Sequence, residues 1–427
     1  MSFSKILSPW YVLPIITLLI FLAPILIILS SIFSDYSDNW EHIYNYVLID
    51  YVINSIVLVS GVSVLVMAIG SVTAWVVTNY NFFGKKFFEW GLILPLAIPP
   101  YILAYTFTGL FDSYGTANEI ARDLFNLQQS AVLFPNIRNI YGAIIVFAFT
   151  LYPYVYLICR TAFLNQSKSM FEVGRTLGLS QTLVFFRLAL PLVRPALIAG
   201  TMIVAMETLS DFGAVDHFAV STFTTGIFRT WYGMYDLTTA MQLASMLLIF
   251  ITFCLIIERT SRRNASYDSV SSNFKPSPVQ KLDSLKSFAC FLVCFLPIFI
   301  GFLLPILEIL NWALSFNSGF FDKQFLSISS NTILLSVTSA ILCTFIAMMI
   351  NFSIRYKNSP LLKFINPFLN IGYAVPGLIL AVGIVQLFVF VDSKLLSSLE
   401  GYFLTGSIFG LIFAYVIKSY ALANSTY

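Results

Sequence analysis

Ten stretches of roughly twenty apolar residues recur along this 427-residue chain, and that repetition limits its fold more than any other feature. A helix needs about 20 such residues to cross a bilayer and satisfies every backbone polar group within itself, whereas a barrel strand would be half as long and alternating. The runs are predicted at 11–32, 52–78, 89–111, 140–163, 191–210, 239–257, 287–313, 331–352, 364–391 and 402–422. Hydrophobic residues make up 58% of the chain and charged residues 10%, too little charge to keep a soluble domain of this size in solution. The expected class is an all-α integral membrane protein.

The first run follows only Lys5 and has no small-residue cleavage site, so it reads as a retained span with the N-terminus inside. With that start, all but five of the 23 Lys and Arg residues fall in inner segments, the exceptions being Arg122, Arg138, Arg229, Lys323 and Lys394. This is the asymmetry expected of a multi-pass protein. The net charge of +3 encodes orientation and gives no basic patch for nucleic acid. All five cysteines lie inside predicted spans and read as small hydrophobes. Cys290 and Cys294 share a helix face but lack the further ligands of a metal site, so no metal residue is assigned.

Residues 54–111 and 331–388 align without a gap at an offset of 277. The matches include Asn54 with Asn331, Pro99 with Pro376, and Ile102-Leu103-Ala104 with Ile379-Leu380-Ala381. Six spans separate the copies, so both cross in the same direction, as parallel repeats do. The expected organisation is a first half over 1–257, a cytoplasmic linker over 258–286 and a second half over 287–427. Carried forward, the repeat places a second copy of the loop described next beyond Tyr427, so the second half is expected to be incomplete, with ten of twelve helices present.

Between the fourth and fifth runs lies Ser169-Met170-Phe171-Glu172-Val173-Gly174-Arg175-Thr176-Leu177-Gly178, followed twelve residues on by Leu190-Pro191. Ser169 to Glu172 is a capping-box pattern, Gly178 suits a left-handed helix end, and Pro191 suits a first helical turn. The spacing of Glu172, Gly178, Leu190 and Pro191 resembles the EAA motif of the inner-membrane permeases of binding-protein-dependent ABC importers. Val173 and Gly174 stand for the two alanines, and Leu188 for the isoleucine. The resemblance implies a type I ABC importer transmembrane domain. It further implies that residues 169–194 (Phe171, Glu172, Gly174, Thr176, Leu177, Gly178, Leu190 and Pro191) form a coupling loop docking on a separate cytoplasmic ABC ATPase present in two copies.

No G-x-x-x-x-G-K-[ST] pattern occurs and no nucleophile–base pairing is visible. The chain is therefore expected not to be an enzyme and to bind no cofactor, with ATP and Mg on the partner ATPase. The run Glu207 to Phe218, continuing through Thr222 to Trp231, resembles ferric-iron permeases with two fused halves. This implies import of ferric iron delivered by a periplasmic or surface-tethered binding protein, at a bacterial inner membrane. The same architecture importing thiamine, and an inactive truncated permease, are the alternatives. Glu207 and Asp211, four residues apart near the outer end of the fifth span and on one helix face, either line the entry route for a hard cation that prefers oxygen ligands or stabilise the outer end of the fold or face the binding protein. Pro99, in the pair Pro99-Pro100, and Pro376 are expected to kink the third and ninth spans. They line the pathway or pack neighbouring helices. His42 and His217 are expected on the outer side.

Overall fold

The computed structural model describes residues 8–166, 176, 178–263, 280–315, 322–394 and 404–426. Among the described residues twenty α-helical segments follow one another. The first seven are α1 (Pro9–Ser30), α2 (Asp38–His42), α3 (Leu48–Asn79), α4 (Lys85–Gly91), α5 (Pro100–Leu110), α6 (Thr116–Phe125) and α7 (Ile140–Leu164). Next come α8 (Gln181–Val184), α9 (Leu190–Leu192), α10 (Arg194–Ser210), α11 (Gly213–His217), α12 (Phe223–Phe228) and α13 (Leu237–Arg263). The last seven are α14 (Ser284–Ile298), α15 (Leu304–Ser315), α16 (Lys323–Lys357), α17 (Pro360–Leu369), α18 (Ile371–Ala374), α19 (Gly377–Lys394) and α20 (Ile408–Asn424). A two-residue parallel pairing of Tyr80–Asn81 with Gln280–Lys281 is the β structure among the described residues.

All ten predicted runs fall on helix, but they are not ten straight spans. Among the described residues six helices are long and apolar enough to cross a membrane, and two bent pairs raise the number to eight. Leu237–Phe253 and Ile408–Asn424 are shorter apolar helices. The third run is broken by 87° between Lys85–Ala97 and Pro100–Leu110, more than the kink expected. The fifth begins earlier than 191 and turns by 73° between Thr182–Leu192 and Arg194–Ser210. Proline explains both breaks: Pro99 and Pro100 donate no backbone hydrogen bond, and Pro195 has no N–H for the carbonyl four residues back. The ninth run divides into α17, α18 and α19, with Val375 extended between the last two.

The chain packs as two compact units. One comprises Met1–Leu48, Gly226–Ile249 and Ser318–Tyr427, the other Ile49–Thr225 and Phe250–Asn317. Each unit gathers segments from both 1–257 and 287–427.

In the unit built on Ile49–Thr225, α7 is the central helix, with Phe147, Tyr152 and Tyr156 fully buried. Its neighbours approach through glycine. A Cβ on Gly70 of α3 would lie 2.8 Å from the Val155 Cβ, and one on Gly200 of α10 would lie 2.9 Å from the Val155 Cα. Close packing of small residues replaces the hydrophobic driving force that lipid does not supply. Asn139 caps α7, its side-chain oxygen accepting from the Tyr141 and Gly142 amides at 2.9 and 3.1 Å. Asn118, fully buried, ties down the loop before α7. Its oxygen accepts from Leu133 and Phe134 N–H at 2.9 Å each, and its amide donates to the Asp112 carbonyl at 2.9 Å.

In the other unit α1 packs against α16, α17 and α19, and α16 against α20. Asn424 links the helices by donating to Asn370 at 2.9 Å and Asn366 at 3.1 Å while accepting from Asn351 at 2.7 Å. Asp236 clamps the segment before α2 to the start of α13. Its carboxylate accepts from Ser37, from Asn39 at 3.0 Å, and from the Thr239 amide and hydroxyl at 2.9 and 2.7 Å. Burial alone would push this carboxyl up, but the four donors outweigh it and hold it at about 2.

Candidate functional site

Two regions of the unit built on Ile49–Thr225 carry the residues singled out by the sequence. The first is the loop after α7. Phe171, Glu172, Gly174 and Leu177 lie outside the described residues. Thr176 is helical and exposed, and Gly178 is left-handed (φ +69°) with open space around it, the conformation a helix-ending glycine adopts.

The ends of the loop are pinned together. Gln166 donates to the Ala189 carbonyl at 3.1 Å. Trp75, Phe163 and Phe185 form an aromatic cluster, with Trp75 5.4 Å from Phe163 and 5.3 Å from Phe185. A π-helical turn at Phe185–Ala189 leads into Leu190 and Pro191 in α9, and the elbow before α10 follows at once. Pro191 thus stands in the arm before the elbow, and Pro195 occupies the first turn of the following span, the role expected of Pro191.

The second region surrounds the break at Ile98–Pro99. Ile98 is extended (φ −105°, ψ 117°) and Pro99 continues that conformation (φ −58°, ψ 143°) before α5 begins. The short helix α11 packs along α5, with the His217 Nε2 2.5 Å from the Thr108 hydroxyl and its ring 5.7 Å from Tyr105. Arg138 donates to the His217 carbonyl at 2.8 Å. Burial, then the nearby Arg138 charge, lowers the His217 pKa against a weaker opposing pull from Asp216.

Asp211 does not share a helix face with Glu207, because α10 ends at Ser210 and Asp211 is extended. Its carboxylate instead accepts from the Ala214 amide at 2.8 Å and that of Val215 at 3.4 Å, capping α11. Burial pushes the carboxyl up to about 6, the two amides pull the other way, and the Glu207 charge adds to the rise. The threonines after it form a self-contained knot. Thr224 donates to the Asp211 carbonyl at 2.8 Å, and Thr225 donates to the Thr222 carbonyl at 2.9 Å while accepting from the Thr222 amide at 2.8 Å. Asn54 and Ser55 hold this segment from α3, through the Ser221 carbonyl at 3.0 Å and the Phe223 amide at 3.2 Å.

One residue here escaped the sequence reading. Glu308, in α15, is 5% exposed and accepts from Thr116 at 2.6 Å. One turn on, Trp312 meets Tyr105 edge-on at 5.5 Å. A carboxylate inside the seventh apolar run was the available signal. Among the described residues no three His, Cys, Asp or Glu side chains converge to hold a metal ion.

These two regions, a pinned loop ahead of an elbowed span and a proline-broken helix against a re-entrant segment, fall within one recognisable domain. Residues 66–263 match the family described as binding-protein-dependent transport system inner membrane component. More particularly, the chain is similar to permeases named for ferric iron. It is 27% identical over 342 residues to the Fe(3+)-transport system permease protein FbpB 2 of Haemophilus influenzae, a match covering 78% of this chain and 62% of the relative. It is 24% identical over 330 residues to the ferric transport system permease protein FbpB of Actinobacillus pleuropneumoniae, covering 72% and 46%. The molybdenum transport system permease protein ModB of Escherichia coli is 30% identical over 157 residues, which is 36% of this chain and 66% of that relative. The chain therefore spans about half to two-thirds of the length of these relatives.

Proposed function

We propose that this chain is the transmembrane permease subunit of an ATP-driven importer of ferric iron, working by alternating access. The observation that carries the reading is the extent of the similarity. The match to relatives named for ferric iron runs over about three-quarters of the chain, whereas the match to the molybdenum permease covers about a third.

In this reading a binding protein delivers iron at the outer face, and two copies of a cytoplasmic ATPase supply the free energy. The N-terminus is cytoplasmic. Thr176 and Gly178 belong to the docking surface, and the pinned base from Gln166 to Ala189 passes the displacement to α10. Glu207, Asp211, Pro99 and Pro376 are assigned to the translocation path. Fe(III) is a hard cation, for which carboxylate and hydroxyl oxygens are suitable transient contacts.

The test is uptake of labelled iron into proteoliposomes holding the chain, its ATPase and its binding protein. ATP-dependent accumulation that falls at least about tenfold in Glu207→Ala, with normal insertion, is the expected result. Uptake of thiamine in place of iron would overturn the substrate assignment. A cysteine at Thr176 should crosslink to the ATPase, and failure there and at positions 178 and 180 would overturn the docking assignment.

A further inference from the structure

We propose that the segment between α1 and α3 builds an aromatic-walled site for an organic ammonium group, such as a zwitterionic lipid headgroup or a soluble quaternary amine. This inference does not depend on the import reading. Tyr36, Trp40, Glu41, Tyr44, Leu48 and Met246 line an open concavity of about 450 Å³ on the surface of one compact unit. The Tyr36 and Trp40 rings stand nearly perpendicular, 5.9 Å apart at 69°, giving two adjoining walls. Tyr44 adds another ring, and Glu41 supplies a carboxylate at the same concavity.

Perpendicular aromatic faces with one anion are the environment in which a weakly hydrated, spread positive charge gains most, through the ring quadrupoles and one ion pair. The surroundings have the matching sign. Asp35, Asp38, Glu41 and Asp50 lie in this stretch, and no Lys or Arg occurs between Lys5 and Lys85. An anion would be repelled here, and a compact metal ion would find one carboxylate where it needs several ligands.

The site is also held in shape before any ligand arrives. Asp236 clamps Ser37 and Asn39, and Gln242 donates to the Ser31 and Ser34 carbonyls at 3.2 Å each. A π-helical turn at Ile43–Val47 shifts the register between Trp40 and Leu48, a device common at ligand sites. Tyrosine and tryptophan collect at bilayer interfaces in general, and that preference accounts for the exposure of Tyr36, Tyr44 and Tyr46 alike. It does not account for a concave, acidic, clamped arrangement.

The full chain in maltoside micelles would be titrated with tetramethylammonium chloride at constant ionic strength and followed by saturation-transfer NMR. Saturable binding is expected, weakened about fivefold or more by Trp40→Leu and by Glu41→Gln and unchanged by Tyr46→Leu. Glu41 is exposed, so its substitution leaves the fold intact and keeps the test decisive if Trp40→Leu misfolds. Native mass spectrometry from nanodiscs then separates the sources. Retention of one phosphatidylcholine over phosphatidylglycerol, lost on adding tetramethylammonium, identifies a lipid headgroup. Tetramethylammonium binding without lipid preference identifies a soluble cation. No saturable binding, or binding indifferent to Glu41→Gln, would overturn the site.

Discussion

The breaks at Ile98–Pro99 and Val375–Pro376 are the same backbone event closed by different chemistry. They sit at equivalent positions of the repeat, each with an extended β-branched residue before proline. Beyond each break the same helical bond forms, Leu103 to the Pro99 carbonyl at 3.3 Å and Leu380 to the Pro376 carbonyl at 3.0 Å, with Ile102 also donating to Pro99 at 3.0 Å in the first copy. Their closures have nothing in common. In one unit the carbonyl reached from the neighbouring helix is that of Glu89, nine residues before the break, which accepts from Tyr156 at 3.0 Å while the Glu89 carboxylate lies 3.5 Å from Arg160. In the other Lys418 donates to the Tyr373 and Val375 carbonyls at 3.0 and 2.8 Å. By the Tyr154-Val155 and Tyr415-Val416 match, the counterpart of Lys418 is Leu157, which cannot donate. Where a helix breaks is thus written into the repeat, and how the freed carbonyls are satisfied is written separately in each copy.

The sharpest way to break this comparison is Lys418→Leu. It leaves two carbonyls without their charged donor, and a loss of about 2–3 kcal/mol is expected, read as a lowered unfolding temperature in detergent. The same measurement on Tyr156→Phe should show about 1 kcal/mol, since one neutral hydrogen bond is lost. Equal losses would mean that the two closures carry the same weight.

A second contrast concerns the helices flanking each break. In one unit Val59 lines a small cavity of about 10 Å³ together with Thr208 and Leu209 of α10. At the equivalent position of the other, Ser336 lines an open groove of about 470 Å³ with Tyr415 and Ser419. Gly200→Val should therefore cost about 2 kcal/mol through forced contact with Val155. Tyr415→Ala, at a side chain 45% exposed, should cost under about 0.5 kcal/mol. Thermal unfolding of the two variants side by side checks the difference.

A further expected effect is a pH dependence confined to one clamp. The Asp236 carboxyl is held near 2, below its ordinary value of 3.8. Its stabilisation is therefore complete above about pH 4 and is lost as pH falls toward 2. Hydrogen exchange at residues 37–39 should accelerate over that window, and Asp236→Asn should abolish the dependence.

The apolar runs made the helices legible in the sequence, and the repeated prolines located both breaks. The 87° turn was not legible, because a proline says that a hydrogen bond is missing but not which neighbour the freed segment will pack on. Lys418 was read as an inner-loop charge, since a count of basic residues cannot see that an ammonium turns back to a carbonyl more than forty residues earlier. The Asp236 clamp joins residues about two hundred positions apart, beyond any local pattern. In the candidate site the Glu207 to Thr225 run was recognised, but Asp211 was assigned to a helix that stops one residue short of it. Glu308 was passed over because its hydrogen-bonding partner, Thr116, precedes it by nearly two hundred residues.

The elbow at Val193 has a mechanical consequence. Two rigid arms joined at 73° act as a bell crank. A thrust along the first arm, Thr182–Leu192, points mostly across the axis of the second and emerges there as a sideways swing. Because Gly200 rests on Val155, α7 serves as the bearing against which that swing is taken up.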